Sequence, residues 1–172
     1  EQPAGTALDD AELARTRNAA FNQMRLDNLC CDVTLLAEGR PIPCHKLILM
    51  ASGEYFKTML RTDLPASQEI EFNMSHETLA AIVEYIYTCQ IVICDVNVKN
   101  LFEAGHLMDL DSIVTSCADF MKAELDATNA VDVYRFATFF QHQHLMDEAR
   151  QFILREFDAV AQDMEVLDLP ED

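Results

Sequence analysis

The sequence is short of glycine, of basic residues and of long apolar runs, and each shortage removes a class of function. Its four glycines (Gly5, Gly39, Gly53, Gly105) are too scattered to build a phosphate-cradling loop. No GxSxG, HExxH or Walker pattern occurs, so no enzyme is expected. Twelve Lys and Arg stand against thirty Asp and Glu, a formal net charge of −18. That balance repels a phosphate backbone, and no nucleic-acid partner is expected. Thirty carboxylates also guarantee chance pairs, so an acidic pair by itself carries no weight. No apolar run approaches the roughly eighteen residues of a membrane span, and no membrane partner is expected. No signal peptide is visible, and Glu1-Gln2-Pro3 reads as the start of a fragment. Six cysteines (Cys30, Cys31, Cys44, Cys89, Cys94, Cys117) lack any CxxC spacing. Reduced thiols in an intracellular protein are expected, chiefly cytoplasmic but with the nucleus open to it.

What is present is apolar material for a core: half of the 172 residues, enough for one generous domain or a domain with a helical extension. The chain is organised around Asp32–Leu60, which reads DVTLLAEGRPIPCHKLILMASGEYFKTML. Its start alternates, placing Val33 and Leu35 on one face of a strand and Thr34 on the other. Glu38-Gly39 predicts a tight turn, because glycine accepts a positive φ without a Cβ clash. Pro41 to Cys44 returns as a second strand, and its two prolines confine it to partial pairing or a sheet edge. The period then changes to 3.6: Leu47, Ile48 and Met50 form one short helix, broken at Ser52-Gly53, and Tyr55, Phe56, Met59 and Leu60 a second.

Upstream, residues 1–8 read as a disordered leader. Asp9 and Asp10 offer capping oxygens ahead of a helix whose apolar residues are Leu13, Ala20, Phe21 and Met24. So few apolar positions leave this helix little to hold it to its own domain. Downstream, Glu69–Phe72 alternates as a half-buried strand and Ser75 caps a helix bearing Leu79, Ile82, Val83, Ile86 and Tyr87. Gln90–Ile93 reads as another short strand. Asn97 opens a helix with Leu101, Phe102, Leu107 and Met108, and Asp111 one with Val114, Cys117, Met121 and Leu125. After Asp126–Asn129, two antiparallel helices are expected. The first carries Ala130, Val133, Tyr134, Ala137 and Phe140, the second Leu145, Ala149, Phe152, Ile153 and Phe157. Gln141–His144 is the break between them. The acidic end from Val160 reads as lacking a packed partner.

Three linked pieces resemble the BTB (POZ) domain in order and spacing: Asp32-Val-Thr-Leu, Cys44-His45-Lys46-x-x-Leu49-x-Ala51-Ser52, and Tyr55-Phe56-x-x-Met59. Asn129, Phe136-Ala137, Leu145, Ala149, Phe152-Ile153 and Phe157 resemble the opening helices of the BACK domain of kelch-like proteins, the 3-box. The resemblance implies an α+β BTB fold, a small sheet surrounded by helices, over residues 9–125. An antiparallel helical start of a truncated BACK domain follows over 126–172. It also implies a homodimer that serves as substrate adaptor of a cullin-3 RING E3 ubiquitin ligase. The substrate would be recruited by a missing C-terminal domain such as a kelch propeller. The alternative is a dimerisation module of a cytoskeletal scaffold or transcription regulator that does not bind cullin.

Carried over by position, the resemblance assigns Leu13, Ala20, Phe21, Met24, Asp32, His45, Lys46 and Leu49 to the dimer interface, with Asp32 and Lys46 in a charged pocket. To the cullin-3 N-terminal region it assigns Tyr55, Met59, Leu60, Leu64, Ala66, His106, Met108 and Asp109. Phe139, Phe140 and His144 would line a groove for the cullin's N-terminal extension. One departure stands out. The family's cullin motif is an apolar residue, any residue, then glutamate, and here it reads Leu64-Pro65-Ala66. One lost charge-assisted hydrogen bond weakens binding about ten- to hundredfold. His45 beside Cys44, with Cys30-Cys31 upstream, lacks metal-site spacing, so no metal or cofactor is expected and His45 reads as a helix-start residue in the core. His142 and His144 read as solvated.

Overall fold

The computed structural model describes residues 11–61 and 68–167. The expected leader, the Asp9 and Asp10 caps, Leu64, Ala66 and the final residues lie outside them. The chain divides into two compact units. The first runs to Val92 and takes in Ala104–Leu110; the second comprises Ile93–Glu103 and the chain from Asp111 onward.

In the first unit, β1 (Val33–Ala37) and β2 (Arg40–Cys44) form an antiparallel hairpin with Leu35 opposite Ile42. The turn is Glu38-Gly39, with φ of 53° and 69°. Two consecutive positive φ values match the right-handed twist of the flanking strands, and the glycine takes its value without strain. Val33, Leu35 and Ala37 are buried while Thr34 and Leu36 are half-buried, as the alternation predicts. β3 (Gln68–Phe72) lies parallel to β1, giving the order β2-β1-β3 among the described residues. The proline-bearing β2 is an edge strand, since two missing N–H donors suit it to nothing else.

Around this sheet stand α1 (Ala11–Leu26), α2 (Lys46–Ser52), α3 (Glu54–Leu60) and α4 (His76–Thr88). Ser75 caps α4, its Oγ accepting the Thr78 N–H at 3.2 Å. Cys89 closes α4 in the left-handed region, φ 58°, donating its N–H to the Tyr85 carbonyl. Leu35, Leu49, Phe56, Leu79, Ile82, Val83 and Tyr87 form the core here.

Gln90–Ile93 is not a strand. Its burial does alternate, half-buried Ile91 and Ile93 flanking a Val92 that is 80% exposed. Alternation makes a strand only where a neighbour offers a ladder, and among the described residues the paired strands are β2, β1 and β3, none of them paired with this segment.

α5 (Val98–Leu107) ends in the first unit; the second holds α6 (Asp111–Ala123), α7 (Ala130–Phe139), α8 (Gln143–Arg155) and α9 (Phe157–Leu167). Asp126 builds the α6–α7 turn: its Oδ1 accepts the N–H groups of Thr128 and Asn129 and the Thr128 hydroxyl. α7 and α8 pack antiparallel through Ala130, Val133, Ala137, Leu145 and Ala149, all buried. The break between them is shorter than expected, since α8 already begins at Gln143. Phe157 does not belong to α8, which ends at Arg155; it opens α9 and is 61% exposed, while Val160 anchors that helix.

Candidate interaction surfaces

Helix α1 is fastened to α4 by polar groups, contrary to the expectation that little would hold it. Its buried residues are Asn22 and Arg25. Arg25 donates from Nη2 to Glu84 Oε2 and from Nε to Asn22 Oδ1, both at 2.9 Å. Asn22 Nδ2 donates to Glu84 Oε1 at 2.8 Å, which closes a triangle. The Arg25 guanidinium also lies over the Tyr87 ring, 5.2 Å from its centroid. A buried guanidinium is tolerable only when paired in this way.

Tyr87 extends the network to His45. The hydroxyl lies 2.8 Å from both the backbone nitrogen and Nδ1 of His45. His45 Nε2 lies 2.8 Å from the Leu29 carbonyl, which only accepts. Nε2 therefore carries the proton, Nδ1 accepts from the tyrosine hydroxyl, and that hydroxyl accepts the His45 N–H. His45 is thus a satisfied, half-buried residue at the start of α2. Burial raises the Tyr87 pKa, partly offset by the backbone hydrogen bond from His45. Cys31 Sγ sits 3.8 Å from Nε2, and burial raises its pKa too, which suppresses the thiolate. Asp32 and Lys46 meet differently from a charged pair. The Asp32 carboxylate accepts the Lys46 backbone N–H at 2.7 Å and so caps α2, whose own N-cap residue supplies no side-chain bond.

With its polar residues turned inward, α1 leaves apolar ones outside. Leu13 is 60% exposed, Ala20 is exposed, and Phe21 and Met24 are half-buried. Leu26 and Leu29 extend the exposed set, neither of them among the α1 positions expected at an interface.

Tyr55 and Asp109 are brought together. Burial raises the Tyr55 pKa, and the Asp109 carboxylate adds to the rise. Asp109 and His106 are exposed, and Asp109 sits at φ 54°, where it ends α5 in the left-handed region. Met59 is half-buried. Three nominated residues are corrected: Leu49, Leu60 and Met108 are core side chains, at 0%, 5% and 0% exposure. Each points inward from its short helix or helix end, so none has surface to offer a partner. Apolar periodicity marks the buried face and the docking face alike, which is why the sequence could not separate them.

In the second unit Phe102 is surrounded by rings. Phe136, Phe140 and His142 lie 5.1, 5.3 and 5.5 Å from it, centroid to centroid, in edge-on arrangements. Phe139 stands on Phe140 at 4.9 Å and is 79% exposed. His142 is a correction: its Nδ1 accepts the Leu145 N–H at 3.3 Å and caps α8. His144 is exposed and lies 3.8 Å from Glu148, whose carboxyl is held below the usual range chiefly by its hydrogen bond from Lys122. Among the described residues no three or more His, Cys, Asp or Glu converge as a metal site would require.

This arrangement matches known proteins. The BTB/POZ domain family matches residues 21–125, and the family described as BTB And C-terminal Kelch (BACK) matches residues 130–172. Human Kelch-like protein 24 is 33% identical over 155 residues, covering 88% of this chain and 26% of that protein. Xenopus laevis Kelch-like protein 40 is 30% identical over 144 residues, 82% of this chain and 24% of that protein. Among solved structures, the BTB domain of human Gigaxonin superposes with a TM-score of 0.60 at 28% identity, over 68% of this chain and 98% of that one. The BTB domain of zebrafish PATZ1 gives 0.62 at 23% identity, over 70% and 100%, and speaks for the fold alone. The chain belongs to the BTB/POZ family, joined to a BACK segment as in kelch-like proteins. It spans about a quarter of the length of the curated relatives it matches.

Proposed function

We propose that this chain is the homodimeric, non-catalytic adaptor end of a cullin-3 RING E3 ubiquitin ligase. Its dimer would present two substrate-receptor arms, and its contribution would be avidity rather than chemistry. The observation that carries the reading is a BTB fold followed at once by the α7–α8 pair with Phe139 79% exposed. An exposed aromatic seated on a second ring is the kind of anchor that dominates an interface. Exposed Leu13, Ala20 and Leu26 on α1 support the dimer. Tyr55, Met59, His106, Asp109, Leu64 and Ala66 are the cullin contacts proposed from the first unit, and Phe139, Phe140 and His144 those from the second. A substrate would be chosen by a further domain, such as a kelch propeller.

Ala66 favours the second reading, a dimerisation module that does not engage cullin, because the family's glutamate is missing there. Calorimetric titration with the cullin-3 N-terminal domain, with and without its N-terminal extension, separates the two. Submicromolar binding that weakens without the extension is the expected result. A folded dimer with no binding at tens of micromolar would leave the scaffold reading.

A further inference from the structure

The two edges of the sheet are not equivalent. β2 carries Pro41 and Pro43, which remove two N–H donors from that edge and close it to strand addition. β3 (Gln68–Phe72) is the opposite edge among the described residues, and it has no proline. Its outward N–H and C=O groups are a ready template for one more strand.

The side chains of β3 say what that strand must carry. Glu69 and Glu71 are both exposed, while Ile70 is half-buried and Phe72 buried. Because neighbours alternate in direction, the two carboxylates share one face and the apolar pair the other. Beside the strand's end, Glu38, Glu71, Phe72, Asn73 and Met74 line a recess of about 450 Å³. A second copy of β3 would set glutamate near glutamate, which is unfavourable across a ladder. An extended segment with basic and apolar residues in alternation is complementary on both faces and by charge. We propose that the β3 edge accepts such a segment from a partner protein by strand addition, with Glu69 and Glu71 reading its basic residues and the recess receiving the last of them. Backbone bonds would supply attachment and the alternating side chains selectivity.

The test uses the 172-residue chain, isotope-labelled, and two capped hexapeptides of equal charge, one alternating lysine and valine, the other lysine and proline. The lysine–valine peptide is expected to bind with amide shifts centred on residues 68–72. The lysine–proline peptide, unable to complete the ladder, is expected to bind at least about tenfold more weakly. The Glu69→Gln/Glu71→Gln double variant, which keeps shape and removes charge, is expected to weaken the lysine–valine peptide about fivefold. Equal binding of the two peptides would mean charge attraction alone and would overturn the proposal. So would shifts centred away from β3, or no binding of the lysine–valine peptide at millimolar concentration.

Discussion

The Tyr87 hydroxyl takes the His45 backbone N–H and faces the same residue's Nδ1, both at 2.8 Å, across 42 positions of sequence. One oxygen thereby joins the end of α4 to the start of α2, while the Leu29 carbonyl, which only accepts, places the imidazole proton on Nε2 and leaves Nδ1 to accept from the hydroxyl.

Removing that oxygen tests the assignment. Tyr87→Phe leaves the ring in place and strands a part-buried N–H and an imidazole acceptor. A loss of about 1–3 kcal/mol is expected in urea denaturation. An unchanged midpoint would mean that water replaces the hydroxyl.

Glu84 and Glu77 form ion pairs of different kinds. Glu84 serves Arg25, whose side chain is 9% exposed, whereas Glu77 pairs with an Arg40 that is 56% exposed. Glu84→Ala should destabilise the fold by about 3 kcal/mol and speed amide exchange across residues 11–26, because it leaves a buried guanidinium unpaired. Glu77→Ala should leave both readings within error, as solvent screens an exposed pair. Equal effects would remove the claim that α1 is held by the Asn22–Arg25–Glu84 triangle.

Asp32→Ala removes the α2 cap and should cost about 1 kcal/mol, while Asp32→Asn keeps an acceptor oxygen and should cost less. If Asp32 instead acts across the proposed dimer interface, both variants should lower the solution mass with no change in monomer stability.

Stability should fall in alkali. Burial pushes the Cys44 thiol up from 9.0 to about 12 and Cys117 to about 11, and Tyr87 is raised as well. A folded pKa above the unfolded one means that the unfolded chain loses its proton first. The contribution of the neutral thiols is therefore complete below about pH 9 and lost as pH climbs through the raised values. Melting followed by circular dichroism should show a steady decline above about pH 9, and Cys44→Val should flatten it. A flat profile would contradict the burial of these thiols.

Phe139→Ala should leave the melting temperature nearly unchanged, since the ring is 79% exposed. If this residue meets the cullin extension, the variant should weaken cullin-3 binding at least about tenfold. Ala66→Glu should act in the opposite sense. Cullin affinity unchanged by both would move these positions out of the contact set.

Local patterns were legible in the sequence because they depend on neighbours. The Glu38-Gly39 turn, the edge position of the proline strand, the break at Ser52-Gly53 and the Ser75 cap follow from φ preference, missing donors and spacing. The failures also have physical causes. Gln90–Ile93 has strand alternation but, among the described residues, no strand paired with it. Leu49, Leu60 and Met108 carry the same apolar signal as surface contacts but are buried. His142 reads as a loop residue, yet it caps a helix and packs on Phe102.

The sequence by itself determined the hairpin, the helical periods and the family to which they belong, because torsional preference and apolar spacing act within a few residues. Tertiary structure alone decided the polar fastening. Asn22 and Glu84 are 62 positions apart, and nothing local distinguishes an arginine bound for a buried triangle from one bound for solvent. Only the packing of α1 against α4 excludes water there, and with water excluded each of those groups must find its partner in the chain.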